Sequence, residues 1–204
     1  GVTLTVKPTT FKNDEILMDC WRWGGWQAFS LEEKDNVKHA AELISMMGVK
    51  DMSPTDLQKF LSGKTVDVMP YINDHEEGIQ GSCSTKDFET FLQLVNLYFT
   101  HPRKDQALFN SYVTKQKGQL QFLKSNPKYF FQDTLYKIAY NNSPWVTFLP
   151  SSAEFENLKL DKVMGDYDKV FGNADGMHFT FVGNVDVSNA KGLFEKYLGS
   201  LPAK

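Results

Sequence analysis

Apolar residues change their spacing several times along the chain, and each change marks an element. From Val2 to Val6 they alternate with polar residues, and after a turn through Lys7-Pro8-Thr9-Thr10 alternation resumes from Glu15 to Trp23. Period two between breaker residues predicts two paired strands. Beyond Gly24-Gly25 the spacing becomes helical, with Val37, Ala40, Ala41, Ile44 and Met47 on one face and Gly48 as the stop. Ser53-Pro54 opens a short helix that Gly63 closes. Two extended runs, 65–73 and 77–84, flank Asp74-His75-Glu76 and predict a hairpin.

Ser84-Thr85-Lys86-Asp87 has the form of a capping box with a shortened acid. The helix it opens carries Phe88, Phe91, Leu92, Val95, Tyr98 and Phe99 and ends at Pro102. Helices follow over 105–124 and 127–140, the second with Asn126 as cap and Pro127 in first position. Asn141-Asn142-Ser143-Pro144 is a loop, and a helix runs from 161 to 171. A strand from Met177 to Val182 and a last helix capped by Ser188 complete the order. Such an order predicts an α+β fold, a mainly antiparallel sheet with helices over one face. No linker interrupts it, so 1–204 is expected to be one domain. Because the chain begins inside a strand, it is also expected to be a piece of something longer.

Composition narrows the function. The hydrophobic share of 41%, with 16 Phe, supports a sizeable core, and a formal charge of -3 leaves no excess of either sign. Nucleic-acid binding needs clustered Lys and Arg, and the His101-Pro102-Arg103-Lys104 cluster reads as a solvated loop. No apolar run is long enough for a membrane span, and no signal peptide pattern opens the chain. Cys20 and Cys83 fit no zinc spacing and read as buried free thiols.

Three groups could carry chemistry. In an H-x-x-E-H helix two His bind zinc and the Glu activates water. Here His39 and Glu42 are in place, but Leu43 stands at the second ligand. The third ligand of that motif class is a Glu roughly 70 to 80 residues on. The window 110–125 holds Lys115, Gln116, Lys117, Gln119 and Gln121 and no carboxylate. His39 and Glu42 are therefore read as a motif remnant on the wet side of an amphipathic helix, with no catalytic or metal-binding residue in the chain. His75-Glu76-Glu77 reads as a solvated turn. Trp21 and Trp23 share a strand face, with Arg22 opposite. They are read as core, and an exposed pair would instead be a platform for a partner or a carbohydrate.

Several stretches together resemble the insulinase/pitrilysin-type zinc peptidases, in particular the non-catalytic later domains of bacterial members. They are Gly1 to Pro8, Asp14-Glu15-Ile16-Leu17 leading to Gly24-Gly25, and Pro70-Tyr71-Ile72 with Glu77-Gly78. LVNLYFTHP (94–102), FGNA (171–174), FTFVGN (179–184) and YLGSLP (197–202) complete the set. The resemblance implies a non-catalytic domain that supports the fold and lines the substrate chamber of a peptide-degrading zinc metallopeptidase. It also implies zinc in a companion catalytic domain, in the same or a partner chain, unfolded peptide as substrate, and a periplasmic or otherwise extracytoplasmic bacterial setting. Two rival readings remain, an independent binding module on Trp21/Trp23 and a free-standing zinc hydrolase with unrecognised ligands.

Overall fold

The computed structural model describes residues 1–203, so Lys204 lies outside the description. Five strands form one sheet: β1 (Thr3–Pro8), β2 (Ile16–Trp23), β3 (Val66–Ile72), β4 (Glu76–Cys83) and β5 (His178–Gly183), in the order β1-β5-β2-β4-β3. The β2–β4, β2–β5 and β3–β4 pairings are antiparallel and β1–β5 is parallel. This is the expected α+β architecture with one correction. β1 and β2 are not partners, because β5 returns from the far end of the chain and inserts between them.

Among the described residues there are eight α-helices, α1 (Lys34–Met47), α2 (Pro54–Phe60), α3 (Phe88–Thr100), α4 (Gln106–Ser125), α5 (Pro127–Ala139), α6 (Ser152–Glu156), α7 (Leu160–Phe171) and α8 (Val187–Tyr197). α2 begins as expected, with Ser53 accepting from the Asp56 amide and Pro54 in the first turn. Asn126 likewise caps α5. The cap of α8 is Asp186, which accepts from the amides of Ser188 and Asn189, so Ser188 lies inside the first turn. Ser84 does not cap α3 either. Its hydroxyl donates to Asp87 Oδ2 at 2.7 Å, and a 3-10 turn, Thr85–Asp87, leads into the helix.

The core lies between one sheet face and the helices. Ile16, Met18 and Cys20 of β2 point into it, beside Ile79 of β4 and Phe179 and Phe181 of β5. Val37, Ala40, Leu43, Ile44 and Met47 of α1 meet them from above, with Phe91, Leu92 and Val95 of α3. Cys20 and Cys83 are both buried and free, and Cys20 Sγ lies 3.8 Å from Met177 Sδ.

The opposite sheet face is open. Leu17 is 48% exposed, Met69 59% and Trp23 74%. The reading of Trp21 and Trp23 as core is therefore overturned. Alternation on β2 puts Ile16, Met18 and Cys20 inward, which turns both tryptophans outward. They meet edge to face at 5.5 Å, and Trp21 stacks on His178 at 5.8 Å.

Candidate functional site

α1 places the remnant motif, and its surroundings differ from those expected. Leu43 is 1% exposed and belongs to the core. His39 is not on a wet surface, since its side chain is only 12% exposed. α4 and α6 cover that flank of α1. Tyr112 of α4 brings its hydroxyl 3.0 Å from His39 Nδ1 and donates to Glu42 Oε2 at 2.7 Å. Glu154 of α6 lies 2.9 Å from His39 Nε2 and accepts from Lys38 at 3.3 Å. The Tyr112 hydroxyl gives its one proton to Glu42, and each His39 nitrogen has a partner within 3.0 Å.

Charge settles the cluster. Burial pushes the Glu154 carboxyl upward, but the His39 hydrogen bond and the charges of Lys38 and His39 outweigh it and hold it below the ordinary glutamate value. Burial, then the contact with Glu42, pushes the Tyr112 hydroxyl well above the usual tyrosine range, so it stays protonated. These residues do not fit a zinc ion. Both His39 nitrogens are engaged, Leu43 offers no lone pair, and no group of three His, Cys, Asp or Glu able to hold a metal occurs among the described residues. Tyr112 lies in the 110–125 window, where the motif class would place a carboxylate, and a phenol there carries no local sequence signal.

The second candidate divides. His75 is exposed at the hairpin tip, but Glu77 is 4% exposed, which corrects its reading as a solvated residue. It pairs with Arg22 Nη2 at 2.7 Å and accepts from the Gly25 amide at 2.9 Å. Arg22 completes its fork on the carbonyls of Val170, Asn173 and Asp175. Gly25 sits at φ +75, where a Cβ would come within 2.5 Å of the Asn73 carbonyl oxygen, so the turn requires glycine.

The sheet edges are now assignable. Thr3 and Thr9 donate to the carbonyls of Met177 and Gly183, so the alternate N–H groups, those of Leu4 and Val6, point away from β5. On β3 the Asn73 amide bonds inward to the Glu76 carbonyl, so the outward positions are Val66, Val68, Pro70 and Ile72, and each edge carries one proline without an N–H, Pro70 on β3 and Pro8 on β1. Both edges thus keep outward donors, Leu4 and Val6 on β1 and Val66, Val68 and Ile72 on β3.

Comparison with known proteins agrees with this architecture. No family model matches the chain. The probable zinc protease PqqL of Escherichia coli is 22% identical over 174 residues, which is 85% of this chain and 18% of PqqL. The crystal structure of that periplasmic protease superposes with a TM-score of 0.82 at 19% identity, covering 98% of this chain and 22% of PqqL. The resemblance to insulinase-type zinc proteases holds. The ferredoxin protease FusC, solved as a variant in complex with Arabidopsis ferredoxin, gives a TM-score of 0.82 at 12% identity over 98% of this chain and 22% of FusC. The structure of the first half of PqqL gives 0.76 at 12% identity over 98% of this chain and 44% of that half. The chain spans about a fifth of the length of PqqL and FusC, and none of the described helices is long and apolar enough to cross a membrane.

Proposed function

We propose that this chain is a non-catalytic domain of a peptide-degrading zinc metallopeptidase, lining the substrate chamber while zinc is held by a companion domain. The carrying observation is the commitment of His39 and Glu42 to Tyr112 and Glu154, with Leu43 in the core at the second ligand position. A position outside the first half is supported by the comparison within PqqL. The match to the whole protease, at 0.82 and 19% identity, is better than that to its first half, at 0.76 and 12%. The relative's periplasmic description supports an extracytoplasmic setting.

The outward donors of the β1 edge support peptide holding. An extended peptide adds there as a further strand, using the N–H groups of Leu4 and Val6 and the intervening carbonyls, without demanding a sequence. The test is fluorescence anisotropy of labelled unfolded peptides with the purified chain, up to about 1 mM, where an interaction near -4 kcal/mol registers. Saturable binding with the peptide left intact is expected. Absence of binding to every unfolded peptide would refute the chamber role.

A further inference from the structure

A cleft of about 460 Å³ opens where the β3–β4 hairpin tip, the 3-10 turn Trp26–Ala28, α1 and the loop after α5 meet. Trp26, Gln27, Lys38, Asn73, Asp74 and Trp145 line it. The rings of Trp26 and Trp145 are 16° from parallel with centroids 6.1 Å apart. That separation belongs to offset pairs in direct contact, about 4.5–7 Å, so the two indoles form a continuous shelf with no slot between them.

Both sides of the shelf are held. The Trp26 amide donates to the Asn73 carbonyl at 2.9 Å, behind the turn that Gly25 and buried Glu77 fix. On the other side Lys34 Nζ donates to the Pro144 carbonyl at 2.6 Å, and the Trp145 amide donates to Ser143 Oγ at 3.3 Å. The charges in the lining are one cation and one anion. Lys38 is already engaged with Glu154 at 3.3 Å, and Asp74 lies 3.7 Å from His75. The lining thus carries one charge of each sign and no net charge, so the indole faces rather than an ion pair set the ligand, which suits an uncharged aromatic side chain. Gln27 and Asn73 also line the cleft. Asn73 Nδ2 donates to Glu76 Oε1 at 3.2 Å, which leaves its Oδ1 to accept from a peptide main chain, and the Gln27 carboxamide can both donate and accept.

We propose that this cleft is a subsite for an uncharged aromatic side chain of a bound peptide, stacked on the Trp26–Trp145 shelf while Gln27 and Asn73 bond its backbone. The inference rests on the peptide-holding role proposed above and adds side-chain selectivity to it at the β3–β4 end of the strand order, away from β1.

The test uses labelled glycine- and serine-rich peptides carrying a single central Phe, Ala, Lys or Glu, titrated into the wild type, Trp145→Ala and Trp145→Phe. Far-ultraviolet circular dichroism checks that each variant is folded. The Phe peptide is expected to bind about tenfold tighter than the Ala peptide, about 1.4 kcal/mol. Trp145→Ala abolishes that preference without weakening the Ala peptide, and Trp145→Phe retains it. Equal binding of all four peptides, or a Phe preference that survives Trp145→Ala, overturns the subsite alone. Competition by a neutral oligosaccharide such as maltotetraose, with no aromatic preference, assigns the shelf to sugar and also overturns it. Failure of every peptide to bind overturns the chamber role together with the subsite.

Discussion

The Tyr112 hydroxyl donates to Glu42 Oε2 at 2.7 Å and stands 3.0 Å from His39 Nδ1, joining α4 to both surviving positions of the zinc motif. A phenol thus ties together residues that would otherwise be a buried imidazole and a lone acid. Tyr112→Phe keeps the ring and removes both contacts. It is expected to destabilise the chain by about 1–2 kcal/mol, the cost of leaving a partly buried polar partner unmatched. Urea unfolding of the two proteins measures the difference, and equal midpoints would show that the cluster contributes nothing.

The same cluster sets an acid limit. Glu154 is held below its ordinary value of 4.5 in the folded chain, so its contribution is present above that pH and is lost as pH falls through the lower folded value. Stability should therefore drop more steeply below pH 4.5 in the wild type than in Glu154→Gln. Thermal melts across the acid range test this, and parallel curves would contradict it.

Glu77 and Arg22 form a buried pair 2.7 Å apart. Removing one member leaves the other charge without its partner, which costs about 3–5 kcal/mol in buried pairs. Glu77→Ala should approach that loss, moderated by the three carbonyls that still accept from Arg22. It should also free the Gly25 turn, read as faster hydrogen exchange at the Trp26 amide. A change under about 1 kcal/mol, the range of surface pairs, would contradict the buried assignment.

On β1, Leu4→Pro removes one of the two outward N–H groups while leaving the ladder to β5 intact. Peptide affinity should fall about tenfold, the loss of one main-chain hydrogen bond, and the melting temperature should change little. Unchanged affinity would move peptide binding to another surface.

Much of the fold was legible because its signals are local. Asn126-Pro127 marks α5, Ser53-Pro54 marks α2, and the two extended runs around Asp74-His75-Glu76 mark the β3–β4 hairpin. What failed was non-local. β5 enters between β1 and β2 from more than a hundred residues away, and neighbouring runs carry no mark of such an insertion. Trp21 and Trp23 misled because β2 has apolar residues on both faces, Ile16, Met18 and Cys20 on one and Leu17, Trp21 and Trp23 on the other. Hydrophobicity alone could not choose between them. His39 was placed in water because α1 by itself shows only one apolar face. Its partners lie 73 and 115 residues away, on helices whose packing no periodicity reports. The pairing of Trp26 with Trp145 was hidden for the same reason.

The motif itself offers the most direct test. Leu43→His restores the missing imidazole, but at a position 1% exposed and pointing into the core. His39 would still be bound to Tyr112 and Glu154, and no acid of the 110–125 window could serve as the distal ligand. Isothermal titration of zinc into the wild type and Leu43→His, with mass spectrometry of an unfolded peptide incubated in each mixture, measures metal binding and cleavage together. Neither protein is expected to bind zinc tightly and stoichiometrically, and the peptide should stay intact with both. Tight one-to-one zinc binding, or zinc-dependent cleavage of the peptide, by either protein would contradict this expectation.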